Sequence, residues 1–479
     1  MNDLSKDTTI TAVLRIASSN IIKLTSSILI AFLLPKLLGV EDFGYYKIFL
    51  LYATYMGIFH FGFADGIYLE YGGLNYSELD LNRFRIYTRF FIKIQTMLSL
   101  IGVTIVLLLV KNEYLILLIM LFIYIPIINL INYFQLISQA VSRFKEYSNR
   151  ILLLSLLNIV IIAIMILMNI SNYKVYILFL IIINFIILIG YFYTYRNIIV
   201  KPDHPILIKK REYFNLFKIG IPLLLANLTS TLVLTVDRQI VEIFFDLVDF
   251  SVYSFAYSML AIITTLVSAV SIVIYPILKN VDKSNIQTTY SKLIQLIVIF
   301  VMFSLTAYFP LKWIIPKFLP EYSESLTIFM IALPGLMISS SITAIKHNFF
   351  KVLNKNNHYF YIAILSIIIS IILNLIFYYV FLTKEAIAVS SVISLFVWYI
   401  ITELYMIKFY KVKWKKNILL IIFSGGLFYG LSNLQNYIIF GFIYFTVVSL
   451  IIVFNYRSKI KRGYRSLLKK RNWCDKYEK

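Results

Sequence analysis

Any chemistry in this chain has to come from a few polar side chains set inside long apolar runs. Arg15, Ser19, Lys23 and Ser26 follow one another at spacings of four, four and three residues. At about 100° per residue of helix they fall within an arc of about 80°. Asn227, Thr231, Thr235 and Arg238 repeat that spacing later in the chain. Two such stripes suggest the wall of a wet cavity, where fixed cations would hold an anionic ligand. A central Lys or Arg costs about 2.5–3.5 kcal/mol on insertion scales and usually faces a bundle interior or water. Lys23 lies too deep in its run to reach a headgroup easily, and reads as cavity-facing. Arg15 lies near the helix end, where snorkelling explains it equally well. Ser19, Ser26, Asn227 and Thr231 complete the candidate walls.

Three further residues are candidates for coupling or gating. Asp65 lies in a stretch with Gly62 and Gly66, whose glycines tolerate a bent or re-entrant segment. A carboxylate there is costly unless paired or wet. Asp237 and Arg238 are neighbours, about 100° apart on a helix, so they cannot face one direction. Coupling-ion binding and a structural role at a helix end are equally open for them. His60 reads as a core hydrogen-bonding group, and Glu403 as a solvated residue near a helix end. The four histidines have no metal-ligand spacing, and the one cysteine, Cys474, excludes a disulfide framework. No nucleophile triad or phosphate-cradling glycine loop appears. No catalytic residue, metal or cofactor is expected, and nothing reads as an enzyme.

The elements that must position these residues are membrane helices. Of 479 residues, 60% are hydrophobic and only 14% charged, against about 25% charged in a soluble domain; the mean hydropathy is +0.84. A bilayer crossing needs about 20 mostly apolar residues. The runs predict spans near 13–34, 45–64, 91–110, 114–135, 151–170, 174–195, 218–241, 251–278, 293–311, 325–345, 359–381, 386–407, 417–434 and 437–456. The fold class expected is therefore all-α and polytopic, with about fourteen transmembrane helices. Runs of this length do not alternate with period two, which excludes barrel strands. The first run is too long for a secretory signal, and acidic residues precede it.

The net charge of +22 is distributed by topology. With the N-terminus inside, 35 of the 45 Lys and Arg fall in inside segments and 8 in outside ones, with Arg15 and Lys23 inside the first span. That bias is the positive-inside rule, and it places both termini in the cytoplasm. The basic tail, 457–479, reads as an anchor on anionic headgroups rather than a nucleic-acid site. All outside loops are short. The first, residues 35–44, is too small for the catalytic platform of a membrane glycosyltransferase.

A shift of 207 residues lays Gly39–Tyr46 on Asp246–Tyr253. Asp42 then meets Asp249, Phe43 meets Phe250, Tyr46 meets Tyr253, and Asn20 meets Asn227. Six spans between copies imply a parallel repeat about an axis along the membrane normal. The expected organisation is a six-helix bundle over 1–195, a cytoplasmic linker over 196–217 and a second six-helix bundle over 218–408. Extra helices 13 and 14 follow over 409–456, peripheral to the two pseudo-symmetric bundles. Chance similarity between two turn-plus-helix entries is the competing explanation.

Residues 34–46 (LPKLLGVEDFGYY) and 60–73 (HFGFADGIYLEYGG) resemble the N-terminal signature of bacterial polysaccharide repeat-unit flippases of the O-antigen type. These belong to the multidrug/oligosaccharidyl-lipid/polysaccharide exporter superfamily. Residues 235–241 (TVDRQIV) and 252–257 (VYSFAY) are similar to the seventh-span entry of the same families. The resemblance implies two bundles facing a central cavity, alternating access, and a lipid-pyrophosphate-linked oligosaccharide as cargo. It also implies a place in the bacterial cytoplasmic membrane, surrounding lipids as partners and a polysaccharide polymerase as a possible one, with the coupling ion open. The alternatives are a cation-coupled drug exporter of that superfamily and, in a different class, an integral-membrane polymerase or glycosyltransferase. Basic cavity residues argue against cationic drugs, and the short outside loops argue against the enzyme.

Overall fold

The computed structural model describes residues 9–200, 209–279, 285–353, 355–412, 414–434 and 436–453. The Arg15 side chain, residues 201–208 of the linker with both its prolines, and the basic tail lie outside what is described. Helix dominates, as an apolar run in lipid must satisfy its own backbone hydrogen bonds. The helices are α1 (Thr9–Tyr55), α2 (Phe63–Glu70), α3 (Leu81–Leu109), α4 (Tyr114–Ala140), α5 (Phe144–Leu167) and α6 (Tyr173–Thr194). The second half contains α7 (Lys210–Val233), α8 (Val236–Phe244), α9 (Leu247–Lys279), α10 (Ile286–Ser304), α11 (Tyr308–Phe318) and α12 (Ser325–Ala332). It continues with α13 (Gly335–Ser340), α14 (His347–Val352), α15 (Asn356–Phe381), α16 (Lys384–Tyr410) and α17 (Lys415–Ser432), and closes with α18 (Tyr437–Val453).

Among the described residues ten helices are long and apolar enough to cross a membrane, or eleven with the bent pair Ser325–Ala332 and Gly335–Val352 as one span. One of the ten, Ser19–His60, has 42 residues. Straight, it would run about 63 Å, twice the hydrocarbon thickness of about 30 Å. Gly39 breaks it, with φ 75° and ψ 177°, a conformation open to glycine and strained for other residues. Phe32 and Phe43 lie on either side of that break, and both rings approach Phe255, at 6.5 and 6.3 Å. Eleven residues of straight helix would separate them by about 16 Å, so the chain folds back at Gly39. Counting two crossings here, and adding α17 and α18, recovers the fourteen expected segments. The expected ten-residue outer loop is a correction: residues 35–44 are helical except at Gly39, and Pro35 lies within the helix.

Other breaks have local causes. The second crossing ends in a tight turn, Met56–His60, followed by left-handed Phe61 (φ 50°) and Gly62 (φ 78°), before α2 resumes. The 45° bend between α12 and α13 falls at Pro334, which has no N–H to give the helix and crowds the preceding turn. Residues Ser341–Lys346 then form a π-helical turn, a feature that often accompanies functional sites.

The repeat is visible in packing. Asp42 accepts a hydrogen bond from the backbone N–H of Tyr173, at the start of α6 (2.9 Å). Asp249 accepts from Lys384 Nζ, at the start of α16 (2.5 Å). In both halves the matched acid ties the second crossing to the beginning of the sixth. The matched Phe43 and Phe250, and Tyr46 and Tyr253, are all buried. Helices α17 and α18 pack on the second half. Tyr429 donates to Ile331 O, Tyr444 donates to Met302 O, and Gly441 lies against Phe309.

Candidate functional site

The two halves meet at both ends of the bundle. At the end carrying Gly39, Tyr322 donates to Gly39 O (3.2 Å) and its ring packs edge-on to Phe43 at 5.8 Å. Gly44 lies against Leu247, where a Cβ would come within 2.8 Å of the leucine side chain. At the opposite end, α2 crosses α7 with no side chain between them. A Cβ on Gly66 would sit 2.0 Å from Leu216 O, and one on Gly220 would sit 1.8 Å from Gly62 O. Paired small residues four apart are a common device for close approach of membrane helices. Around this seam Phe63 packs on Phe217 (5.2 Å), Phe90 on Tyr213 (4.4 Å), and Arg83 lies 3.7 Å from Glu212.

Between the seams, side chains from the two halves converge. Tyr55 donates to Thr235 Oγ1 (2.9 Å), and Tyr52 donates to Glu242 (3.1 Å). Lys47 from the first half and Arg238 from the second lie within electrostatic influence of each other as like charges. Lys47 Nζ rests over the rings of Phe43 (5.0 Å) and Tyr46 (5.3 Å). Arg238 lies over the ring of Tyr257 (4.8 Å) and donates to Leu234 O, while its Nε is buried without a partner. Neither cation has a carboxylate partner among the described ion pairs. Asp237, next in sequence to Arg238, points away. It accepts from Tyr253 (3.0 Å), from Tyr257 and from the Arg238 backbone N–H (2.8 Å). Its oxygens are committed to joining α8 to α9, and the adjacent arginine is left without its charge.

The remaining candidates separate. Lys23 is exposed. Ser19 is buried, 2.5 Å from Ser148 Oγ on α5, and Ser26 is buried too. Asn227 is exposed, Thr231 half-buried and Thr235 buried. Asp65 is buried with Oδ2 unpartnered, 3.6 Å from His60 Nδ1. That nitrogen accepts the Gly62 N–H (3.1 Å), so it has no proton to share with Asp65. Lys351 on α14, in the other half, is the opposite charge that acts on the Asp65 carboxylate, without an ion pair between them.

Two expectations are corrected. Glu403 is not solvated. It is 1% exposed, 2.8 Å from Lys346 Nζ, and accepts from Tyr290 (2.6 Å). Lys346, counted from sequence in an inside loop, is fully buried and also donates to Tyr399 O and Thr402. Lys47 and Arg150 likewise lie on helices rather than in loops. Aligned by the repeat, Lys47 falls on buried Ser254; that register was the available signal. Among the described residues no group of three or more His, Cys, Asp or Glu forms a metal site.

No family model and no curated protein sequence matches the chain. Solved structures do. The lipid II flippase MurJ in an inward closed conformation superposes with a TM-score of 0.69 at 17% identity, over 94% of this chain and 100% of that one. An inward-facing multidrug resistance MATE family transporter of the MOP superfamily gives 0.62 at 14% identity, over 81% and 97%. A MOP superfamily transporter from Pyrococcus furiosus, described as having a binding pocket of reverse polarity, gives 0.58 at 13% identity, over 84% and 95%. The chain therefore has the all-helical fold shared by MOP-superfamily transporters.

Proposed function

We propose that this protein flips a lipid-pyrophosphate-linked oligosaccharide across the bacterial cytoplasmic membrane, for surface polysaccharide assembly. The halves 1–195 and 218–408 would alternate access to the space between them, with both termini cytoplasmic. The observation that carries this reading is the placement of Lys47 and Arg238, one from each half, within electrostatic influence of each other and without a carboxylate partner among the described ion pairs. Two like charges without a counter-charge repel each other, and the repulsion grows as the surroundings become less polar. A pyrophosphate placed between them reverses the sign of that interaction. Lys23, on the first crossing, adds a third positive group for the same cargo, with Arg15 as a weaker one. The resemblance at 34–46 and 60–73 and the fold shared with a lipid II flippase support the lipid-linked class. The same unpaired cations oppose a cationic drug as cargo.

The test is complementation of a flippase-null strain, with membrane levels checked by blot. Lys47→Glu and Arg238→Glu should abolish surface polysaccharide while the protein inserts normally. Lys47→Arg should retain most of it, and Lys23→Glu should impair it more than Arg15→Ala. Wild-type polysaccharide from well-expressed Lys47→Glu would remove the cationic cavity as the cargo site.

A further inference from the structure

The first half holds a second polar space, inside its own bundle rather than between the halves. A half-open cavity of about 270 Å³ lies among the second crossing, α4, α5 and α6. Its polar lining is Thr54, Asn129, Asn132, Gln135, Arg150 and Asn184. One of these is a cation and none is an acid. That volume far exceeds the roughly 10–15 Å³ a single water requires on the same measure.

Arg150 has only neutral partners. Its guanidinium donates to Gly190 O (2.7 Å) and Thr194 Oγ1 (2.8 Å), and it lies over the Tyr191 ring at 5.4 Å. Its Nε is buried with no hydrogen-bond partner. Gly190 is required for this placement, since a Cβ there would sit 2.3 Å from the guanidinium. The second half offers the contrast. There the buried Lys346 is met by Glu403 at 2.8 Å, so its charge is neutralised within the protein. A membrane protein keeps ionisable groups at depth only where they are paired or face a wet pathway. Arg150 lines the cavity beside amide groups and has no carboxylate partner among the described ion pairs.

We propose that this cavity is a binding site for a monovalent anion, with Arg150 as its counter-charge and the neighbouring amides as hydrogen-bonding groups. The shared chemistry is that of a carboxylate or a halide. The two sources are an acidic sugar and a free inorganic ion. The site is separate from Lys47 and Arg238, so it stands or falls independently of the proposed cargo path.

The experiment is thermal unfolding of the purified full-length protein in detergent, at constant ionic strength, titrated with sodium chloride or sodium glucuronate against sodium fluoride. A ligand that binds only the folded state raises the midpoint as its concentration passes its Kd. At least one of the two anions should raise the midpoint of the wild type and of the Lys47→Gln/Arg238→Gln double variant. The apparent affinity should fall at least tenfold in Arg150→Gln, hold within a few fold in Arg150→Lys, and fall measurably in Asn132→Leu, which keeps the charge. Chloride alone acting would assign the site to an inorganic ion, and glucuronate alone to an acidic sugar. Equal stabilisation of Arg150→Gln and wild type would overturn the proposal. So would no stabilisation of the wild type by either anion, or stabilisation lost only in the Lys47/Arg238 variant.

Discussion

At the scale of single residues, the structure sorts charged groups into those satisfied by the protein and those left over. Lys346 and Glu403 are satisfied: each is buried, and Tyr290, Tyr399 and Thr402 complete their hydrogen bonding. Removing one partner from such a pair strands the other charge, at a cost of about 3–5 kcal/mol. Glu403→Gln should therefore lower the thermal midpoint in detergent substantially, and the double replacement Lys346→Met/Glu403→Leu should recover most of the loss. A Glu403→Gln protein as stable as wild type would mean that the pair contributes nothing. Residues of this kind were poorly legible in the sequence. Glu403 and Lys346 each stand near the end of an apolar run, where a solvated end is the ordinary expectation. Only their meeting across α16 and the π-helical turn shows otherwise. Lys23 and Arg238 drew notice in the sequence because each is a charge within or beside an apolar stretch. Lys47 was not, because its burial follows from Gly39 making the turn and leaving residues 40–55 helical.

At the scale of elements, glycine decides where the halves touch. Gly62, Gly66 and Gly220 let the backbones of α2 and α7 meet directly. A larger side chain there has no room in the closed seam. Cysteines replacing Phe90 and Tyr213, whose rings are 4.4 Å apart across the halves, should crosslink readily in a Cys474→Ser background. The crosslink should fall several-fold when Gly220→Val is added, while a pair within one half is unaffected. An unchanged yield would show that the seam does not depend on the glycines. The sequence pointed to a bend near Gly62 and Gly66, because glycine is permissive there. It could not name the partner helix, since contact between α2 and α7 is set by tertiary packing that no local pattern encodes. The repeat rests on matched letters whose places are comparable: Asp42 accepts from the Tyr173 backbone N–H and Asp249 from the Lys384 ammonium, each at the start of the sixth crossing of its half.

At the scale of the whole molecule, both ends of the space between the halves are closed by contacts, and the unpaired cations sit between those closures. The charge tally predicts which end faces the cytoplasm. Reporter fusions after residues 112, 246 and 320 should read external, and fusions after 80, 208 and 412 internal. Inversion at two or more of these sites would defeat that orientation. The fold class was legible from run lengths alone, and fourteen segments are counted among the described residues once the long first helix is divided at Gly39, the bent pair is taken as one span and α17 and α18 are added. The cargo is written less directly, because it depends on charges that only the assembled halves bring together. The most direct measurement of that claim is flipping in proteoliposomes that contain the purified protein and a fluorescent lipid-pyrophosphate-linked oligosaccharide. A membrane-impermeant quencher reports which leaflet holds the sugar. The wild type should expose inner-leaflet substrate to the quencher, and Lys47→Glu/Arg238→Glu should leave it protected as in empty vesicles. Transfer by that double variant at the wild-type rate, or equal transfer of a neutral glycolipid by the wild type, would contradict the account.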